Sequence, residues 1–244
     1  MAAVAAPTIT LSVVSHRQNA LVNALLEDVP RSCAARVALI VTLNAPDSVP
    51  LALEALSCPV EVIVNTQGKG YGANHNAAFR RCGTPYFCVC NPDIRLPADP
   101  FPALVASLEG ERAGAAGPLV RSPTGSVEDS ARRFPTAASL LRKIFVDKRE
   151  PEYPVDRGPQ DVDWIAGMFM LLRSEAFRAA GGFDEAYFLY YEDVDLCRRL
   201  GVAGYSIVYN PKAEVVHEAR RDSRRRPAYA MHHLASALRF LSRS

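Results

Sequence analysis

Between Thr8 and Cys90, short apolar runs alternate with stretches of helical spacing, and that alternation admits few folds. Thr8 to Ser15 (TITLSVVS), Arg36 to Leu43, Val60 to Asn65 and Tyr86 to Cys90 read as strands, while Asn19 to Asp28 and a stretch through about Arg81 read as helices. Parallel strands need crossover connections, usually helical, so the order predicts a parallel sheet covered on both faces. In such sheets chemistry gathers outside the carboxyl ends of the strands.

Beyond the first half the pattern loosens. Pro97 to Gly110 reads as a helix and Ala113 to Val120 as a strand. From Arg121 to Gln160 the chain is rich in Pro, Arg and Ser without a period, which predicts loops, a short hairpin, one helix near Ala137 to Val146 and a flap able to close over a ligand. Asp161 to Leu172 has strand character around Gly167, and Ser174 opens a helix that Gly181-Gly182 stops. A short helix over Asp193 to Leu200, strands over Tyr205 to Tyr209 and Val215 to His217, and an amphipathic helix over Ala228 to Leu241 complete the reading. The expected organisation is one domain over residues 1–217, with halves 1–110 and 111–217, and a tail over 218–244. The overall charge is only +2, but from His217 onward seven arginines face two acids, about +5. Arg220, Arg221, Arg224, Arg225 and Arg226 suit phosphates or an anionic membrane surface, or form a solvated charge run. No nucleic-acid partner is expected.

Six cysteines (Cys33, Cys58, Cys82, Cys88, Cys90, Cys197) lack zinc spacing and read as reduced thiols of a cytoplasmic protein. No leader pattern opens the sequence and no run is long and apolar enough to span a bilayer, so any membrane contact is expected to be peripheral, at the inner face.

Four features carry potential chemistry. The aromatic run Tyr187 to Tyr191 meets Glu192, Asp193 and Asp195 at a helix start, where the backbone dipole favours ionised carboxylates, the state a general base needs; acids there are also ordinary capping devices. Asn91-Pro92-Asp93 follows an apolar strand, placing the Asp93 carboxylate where a hard divalent cation fits, or forming a plain turn. Gly68 to Gly72 would let backbone approach a phosphate or nucleoside, with Asn74 and Asn76 adding hydrogen bonds, although the spacing is not that of a dinucleotide fingerprint. His217, at a strand end, suits a metal or a pyrophosphate, or a structural role. Ser15, Asn44, Asn65 and Asn91 are further nucleotide-side candidates. Trp164 and Tyr191 are acceptor-side aromatics, Trp164 being equally suited to core packing.

The stretches NTQGKGYGANHNAAF, CNPDI, VDWIAGMFMLLRSEAF and GGFDEAYFLYYEDVDLCRRLG, in that order, resemble the inverting family 2 glycosyltransferases, particularly the rhamnosyltransferase-like branch of cell-surface polysaccharide synthesis. The resemblance implies a GT-A, Rossmann-like fold: a mostly parallel twisted α/β sheet with helices on both faces and a small antiparallel extension on the acceptor side. It implies Asp93 as a ligand of Mg2+ or Mn2+, Asp193 as general base and Glu192 as its neighbour in the acceptor site. Gly70, Asn74 and Asn76 fall in the nucleotide-approach segment, Ala166 and Gly167 in the turn beside the donor sugar, and His217 at a late His of many relatives. The implied substrates are a nucleotide-diphosphate sugar, dTDP-L-rhamnose first, and a saccharide or lipid-linked saccharide acceptor.

One position departs from the family's pattern. Leu43-Asn44 stands where relatives carry Asp-Asn against the nucleotide base, and leucine cannot accept the base's N–H. This favours, as the alternative, a sugar-nucleotide-binding or assembly protein without activity. A nucleotidyltransferase would also use a metal-bound Asp, but the first strand lacks a basic signature for an attacking phosphate.

Overall fold

The computed structural model describes residues 6–33, 36–136, 139, 151–218 and 227–243. Four strands build the first half: β1 (Ile9–His16), β2 (Val37–Ala45), β3 (Val60–Val64) and β4 (Tyr86–Cys90), with β1 parallel to both β2 and β4, and β2 parallel to β3. Helices α1 (Asn19–Ser32) and α2 (Tyr71–Phe79) make the crossovers the sequence predicts. The second half adds β5 (Ile94–Arg95), α3 (Phe101–Ser107), β6 (Ala113–Arg121), β7 (Val127–Glu128), β8 (Ala131–Arg132), β9 (Gln160–Val162), β10 (Trp164–Ile165) and β11 (Phe169–Arg173). Then follow α4 (Ser174–Ala179), α5 (Glu192–Val202), β12 (Ser206–His217) and α6 (Pro227–Leu241). The main sheet runs β3-β2-β1-β4-β11-β6-β12-β5, and β10 pairs with β8 in a small antiparallel sheet.

Strand side chains alternate between two cores. Ile9, Leu11 and Val13 of β1, Cys88 and Cys90 of β4, and Phe169 and Leu171 of β11 join Val22, Leu25 and Leu26 of α1 and Phe101 and Leu104 of α3. Phe87 and Val89, and Met170 and Leu172, turn the other way toward Ala78 of α2, Phe177 of α4 and Leu196 of α5. This period of two on strands covered on both faces is why the runs read as nearly unbroken apolar sequence. Each fully buried Phe or Leu contributes about 1.5–3 kcal/mol, so the two cores dominate the fold's stability.

The second half differs from the sequence reading in two places. Tyr205 to Tyr209 and Val215 to His217 are parts of one strand, β12, whose register on β6 shifts between Asn210 and Glu214. Pro211 sits in that irregularity, where a ladder tolerates proline, and the Asn210 side chain binds the Ala103 carbonyl at 3.0 Å and Ser107 at 2.8 Å. Asp161 to Leu172 has its strand character on either side of Gly167 rather than around it, because β9 joins β12, β10 joins β8, only β11 enters between β4 and β6, and Gly167 lies in the turn between β10 and β11. The short hairpin forms between β6 and β7 around Gly125 (φ 84°), and the chain then crosses to β8 beneath β10. The expected helix at 137–146 and the Arg220 to Arg226 cluster lie outside the described residues, as does part of the expected flap. Among the described residues no helix is long and apolar enough to cross a membrane. All six cysteines are unpaired, five of them buried.

Candidate active site

The turn at 166–168, between β10 and β11, is held from four sides. Met168 accepts from the Asn91 backbone N–H at 2.9 Å, tying the turn to the end of β4. Gly167 N–H donates to Asp193 Oδ2 at 2.8 Å, while its carbonyl accepts from the Tyr71 hydroxyl. Ala166 N–H donates to the Ser130 carbonyl at 2.7 Å. Thus Asn91, two residues before Asp93, and Asp193 are both hydrogen-bonded to one three-residue turn.

Asp193 lies in the first turn of α5, half-buried, with Oδ1 accepting the Val194 N–H at 2.9 Å. Burial raises its pKa above the ordinary aspartate value, and the Gly167 and Val194 N–H groups and the Arg132 charge offset only part of that. Glu192 is buried, its Oε2 lacks a hydrogen-bond partner, and burial followed by repulsion from Asp193 pushes its carboxyl well above the usual range. The expectation that the helix start keeps both acids ionised is therefore corrected for Glu192. The dipole is worth about 0.3–1 kcal/mol, less than the desolvation of an unpaired buried carboxylate. Asp195 serves structure, pairing with Arg199 at 2.7 Å and Arg198 at 3.6 Å.

The helix is entered through two consecutive left-handed residues, Tyr190 (φ 71°) and Tyr191 (φ 67°), a conformation costing on the order of 1 kcal/mol or more for each non-glycine. The last helix braces them: Ser236 Oγ donates to the Leu189 carbonyl at 3.0 Å, and the buried Tyr191 ring meets His233 and Phe240.

Beyond Asp93, β5 pairs with the end of β12, setting Ile94 opposite His217. His217 Nε2 lies 3.3 Å from Asp93 Oδ1, and Nδ1 lies 2.7 Å from Glu128 Oε2. Burial opposes charge on this ring, but hydrogen bonding and attraction from Asp93 and Glu128 prevail and push its pKa up to about 9. Asp93 Oδ1 is buried and, although within ion-pair distance, makes no aligned hydrogen bond. The structure thus brings the two expected metal ligands together. No group of three or more His, Cys, Asp or Glu among the described residues is arranged to hold a metal by itself.

The nucleotide-side asparagines form one network. Asn44 Oδ1 accepts from Asn65 at 2.9 Å and from the Lys69 N–H at 2.8 Å, and Asn65 donates on to Asn74 Oδ1 at 2.7 Å. Asn74 Nδ2 reaches the Gly70 carbonyl at 2.9 Å. These amides hold the glycine-rich loop. Ser15 is fully buried and bonded to Asn19, and Asn76 binds both backbone groups of Phe183, each at 2.9 Å. Gly70 is required by close approach, since a Cβ there would lie 2.7 Å from the Phe188 carbonyl oxygen. Leu43 packs partly buried against the core.

Trp164 is buried, donates Nε1–H to the Arg133 carbonyl at 2.9 Å, and has the Arg132 guanidinium 5.4 Å from its ring centroid. Arg132, which pairs with Asp129 at 2.7 Å, Glu128 and Tyr71 are site residues that sequence reasoning missed. The two acids and the two arginines of the EDSARR segment are the signal that points to Arg132 and Glu128. A cavity of about 580 Å³ beside α3 and β12, lined by Ser107, Gln160, Asn210 and Lys212 among others, involves none of these residues.

The topology of this sheet is that of the GT-A glycosyltransferase fold. The chain belongs to glycosyltransferase like family 2, whose model matches residues 6–232. It is 35% identical over 216 residues to an N-acetylglucosaminyl-diphospho-decaprenol L-rhamnosyltransferase of Mycobacterium tuberculosis, covering 78% of this chain and 69% of the relative. It is 34% identical over 186 residues to the rhamnosyltransferase WbbL of Escherichia coli, covering 71% and 70%. A mannosyltransferase from Pyrobaculum calidifontis, solved in complex with GDP-Man and Mn2+, superposes with a TM-score of 0.64 at 16% identity, covering 96% of this chain and 65% of that one. At that identity the likeness concerns the fold.

Proposed function

We propose that this protein is an inverting glycosyltransferase that moves L-rhamnose from dTDP-L-rhamnose to a saccharide or lipid-linked saccharide acceptor in cell-surface polysaccharide synthesis. The observation that carries the reading is that one short turn, 166–168, is bonded both to Asp193 and to Asn91, which lies two residues before Asp93. The printed functions of the two relatives support rhamnose and a lipid-linked acceptor.

Asp193 takes the proton of the acceptor hydroxyl as its oxygen attacks the anomeric carbon; the bond to the diphosphate breaks, and the configuration inverts. The Gly167 N–H fixes the orientation of the carboxylate during that transfer. Glu192, whose carboxyl burial and the neighbouring Asp193 push well above the usual range, is the base's neighbour in the acceptor site. A Mg2+ or Mn2+ ion would be held by Asp93, whose Oδ1 is buried without a hydrogen-bond partner, and by Nε2 of His217 once that nitrogen has lost its proton, and it would neutralise charge on the diphosphate. Two protein donors leave room for phosphate and water oxygens, as such ions require. Because the base is used once, no serine or cysteine nucleophile is needed.

The test is turnover of several nucleotide sugars with acceptor, with and without EDTA. Release of a nucleoside diphosphate that depends on acceptor and metal is expected. Pyrophosphate release would replace the reading with nucleotidyl transfer, and donor binding without turnover would replace it with a non-catalytic binding protein, the outcome Leu43 favours.

A further inference from the structure

The two faces of α6 meet different surroundings. Its inner face, with Ser236, Ala237 and Phe240 buried, is fastened to the loop preceding α5, where Asp184 also accepts from Arg239 at 2.9 Å and Arg243 at 2.7 Å. On its outer face Met231 is 71% exposed, Leu234 62% and Leu238 59%. Spacings of three and four residues align these side chains in one stripe, with exposed Ala230 and Ala235 alongside. Burying each large side chain would contribute about 1.5–3 kcal/mol, so a surface that covers the stripe gains substantially. No Asp or Glu occurs in 227–241, and in sequence the stretch 218–244 carries seven arginines against two acids. An apolar stripe free of acids, in a strongly cationic stretch, complements the boundary of an anionic bilayer.

We propose that α6 lies flat on an anionic membrane, with Met231, Leu234 and Leu238 inserted among the lipids. Because its inner face holds the Leu189 carbonyl and the Tyr191 ring, docking brings the start of α5, which carries Asp193, toward the lipid–water boundary. A lipid-linked saccharide presents its sugar at that level. The docking itself stands independently of the transferase reading.

The experiment is sedimentation of the full chain with vesicles of phosphatidylcholine alone and of phosphatidylcholine with phosphatidylglycerol, at low and high salt. The wild type is expected to bind only the anionic vesicles, more weakly at high salt. The combined substitutions Met231→Ser, Leu234→Ser and Leu238→Ser are expected to lower retention by about tenfold or more, equivalent to about 1.4 kcal/mol, with unchanged circular dichroism and unchanged donor binding. Wild-type protein left in the supernatant, or a triple variant retained like the wild type, overturns the proposal. A dimer seen by light scattering that the same substitutions dissociate overturns it in favour of a second copy of the chain. Donor binding measured without vesicles is a separate readout, so failure of docking and failure of the transferase reading are distinguishable.

Discussion

Gly167 donates its backbone N–H to one carboxylate oxygen of Asp193 at 2.8 Å, and the other oxygen accepts from Val194 at 2.9 Å. Both oxygens thus keep a fixed orientation in a half-buried position. Asp193→Asn would set an amide NH2 against one of these N–H groups and remove the proton acceptor. A fall in kcat of about 10²–10⁴-fold is expected with donor affinity unchanged, checked by turnover and calorimetric titration. Unaltered turnover would remove Asp193 from the mechanism.

The base must be ionised, so activity falls as pH drops through its pKa. Burial raises that pKa, which places the acid limb of the kcat profile above the ordinary aspartate range near 3.9. The Arg132 charge acts in the opposite direction, so Arg132→Gln is expected to move the limb to higher pH. Profiles of both proteins over the same buffers give the comparison.

Glu128 holds Nδ1 of His217 at 2.7 Å and thereby aims Nε2 toward Asp93. Outer partners of this kind typically carry 10–100-fold of metal affinity. Glu128→Ala is expected to weaken Mn2+ binding by about that factor, read from the electron paramagnetic resonance of the free ion; equal affinities would restrict Glu128 to folding.

Two glycines of the same loop differ in the space around them. A Cβ at Gly70 meets the Phe188 carbonyl oxygen at 2.7 Å, whereas one at Gly68 has its nearest neighbour, the Asn44 carbonyl oxygen, at 3.6 Å. Gly70→Ala is expected to cost about 1–3 kcal/mol and Gly68→Ala under about 1 kcal/mol in urea denaturation. Reversed costs would contradict the loop's contact with Phe188.

His75 is fully buried, bonded through Nδ1 to Ser12 at 2.9 Å, and burial lowers its pKa to about 3. The unfolded chain takes up this proton below about pH 6.5 and the folded chain does not. Its contribution is therefore intact above 6.5 and is lost as pH falls toward 3, by about 1.4 kcal/mol per unit. His75→Gln should flatten the decline of stability between pH 7 and pH 5, measured by denaturation at each pH.

The first half was legible because each buried strand is a local run: Tyr86–Cys90 falls as read, and Val60 to Asn65 and Arg36 to Leu43 fall within two residues of β3 and β2. The second half was less so, since β7, β8 and β10 span two residues each and are defined by partners rather than by a period. Asp93, Asp193 and His217 were candidates from motifs, and the structure sets Asp93 and His217 3.3 Å apart, while the contacts of Glu128 with His217 and of Arg132 with Trp164 were hidden because those partners lie 89 and 32 residues away. The asparagines illustrate a different gap. Sequence marks them as polar groups near a ligand loop, but only the structure shows their amides engaged with one another.

Strand β11 runs against both neighbours, so its beginning, rather than its end, abuts the rim where β4 terminates. The short link from β10 into β11 therefore works as a caliper whose jaws are Asn91 and Asp193. Lengthening that link by a residue would move Asn91 and Asp193 apart, and a variant shaped for a bulkier ligand is expected to carry its insertion there.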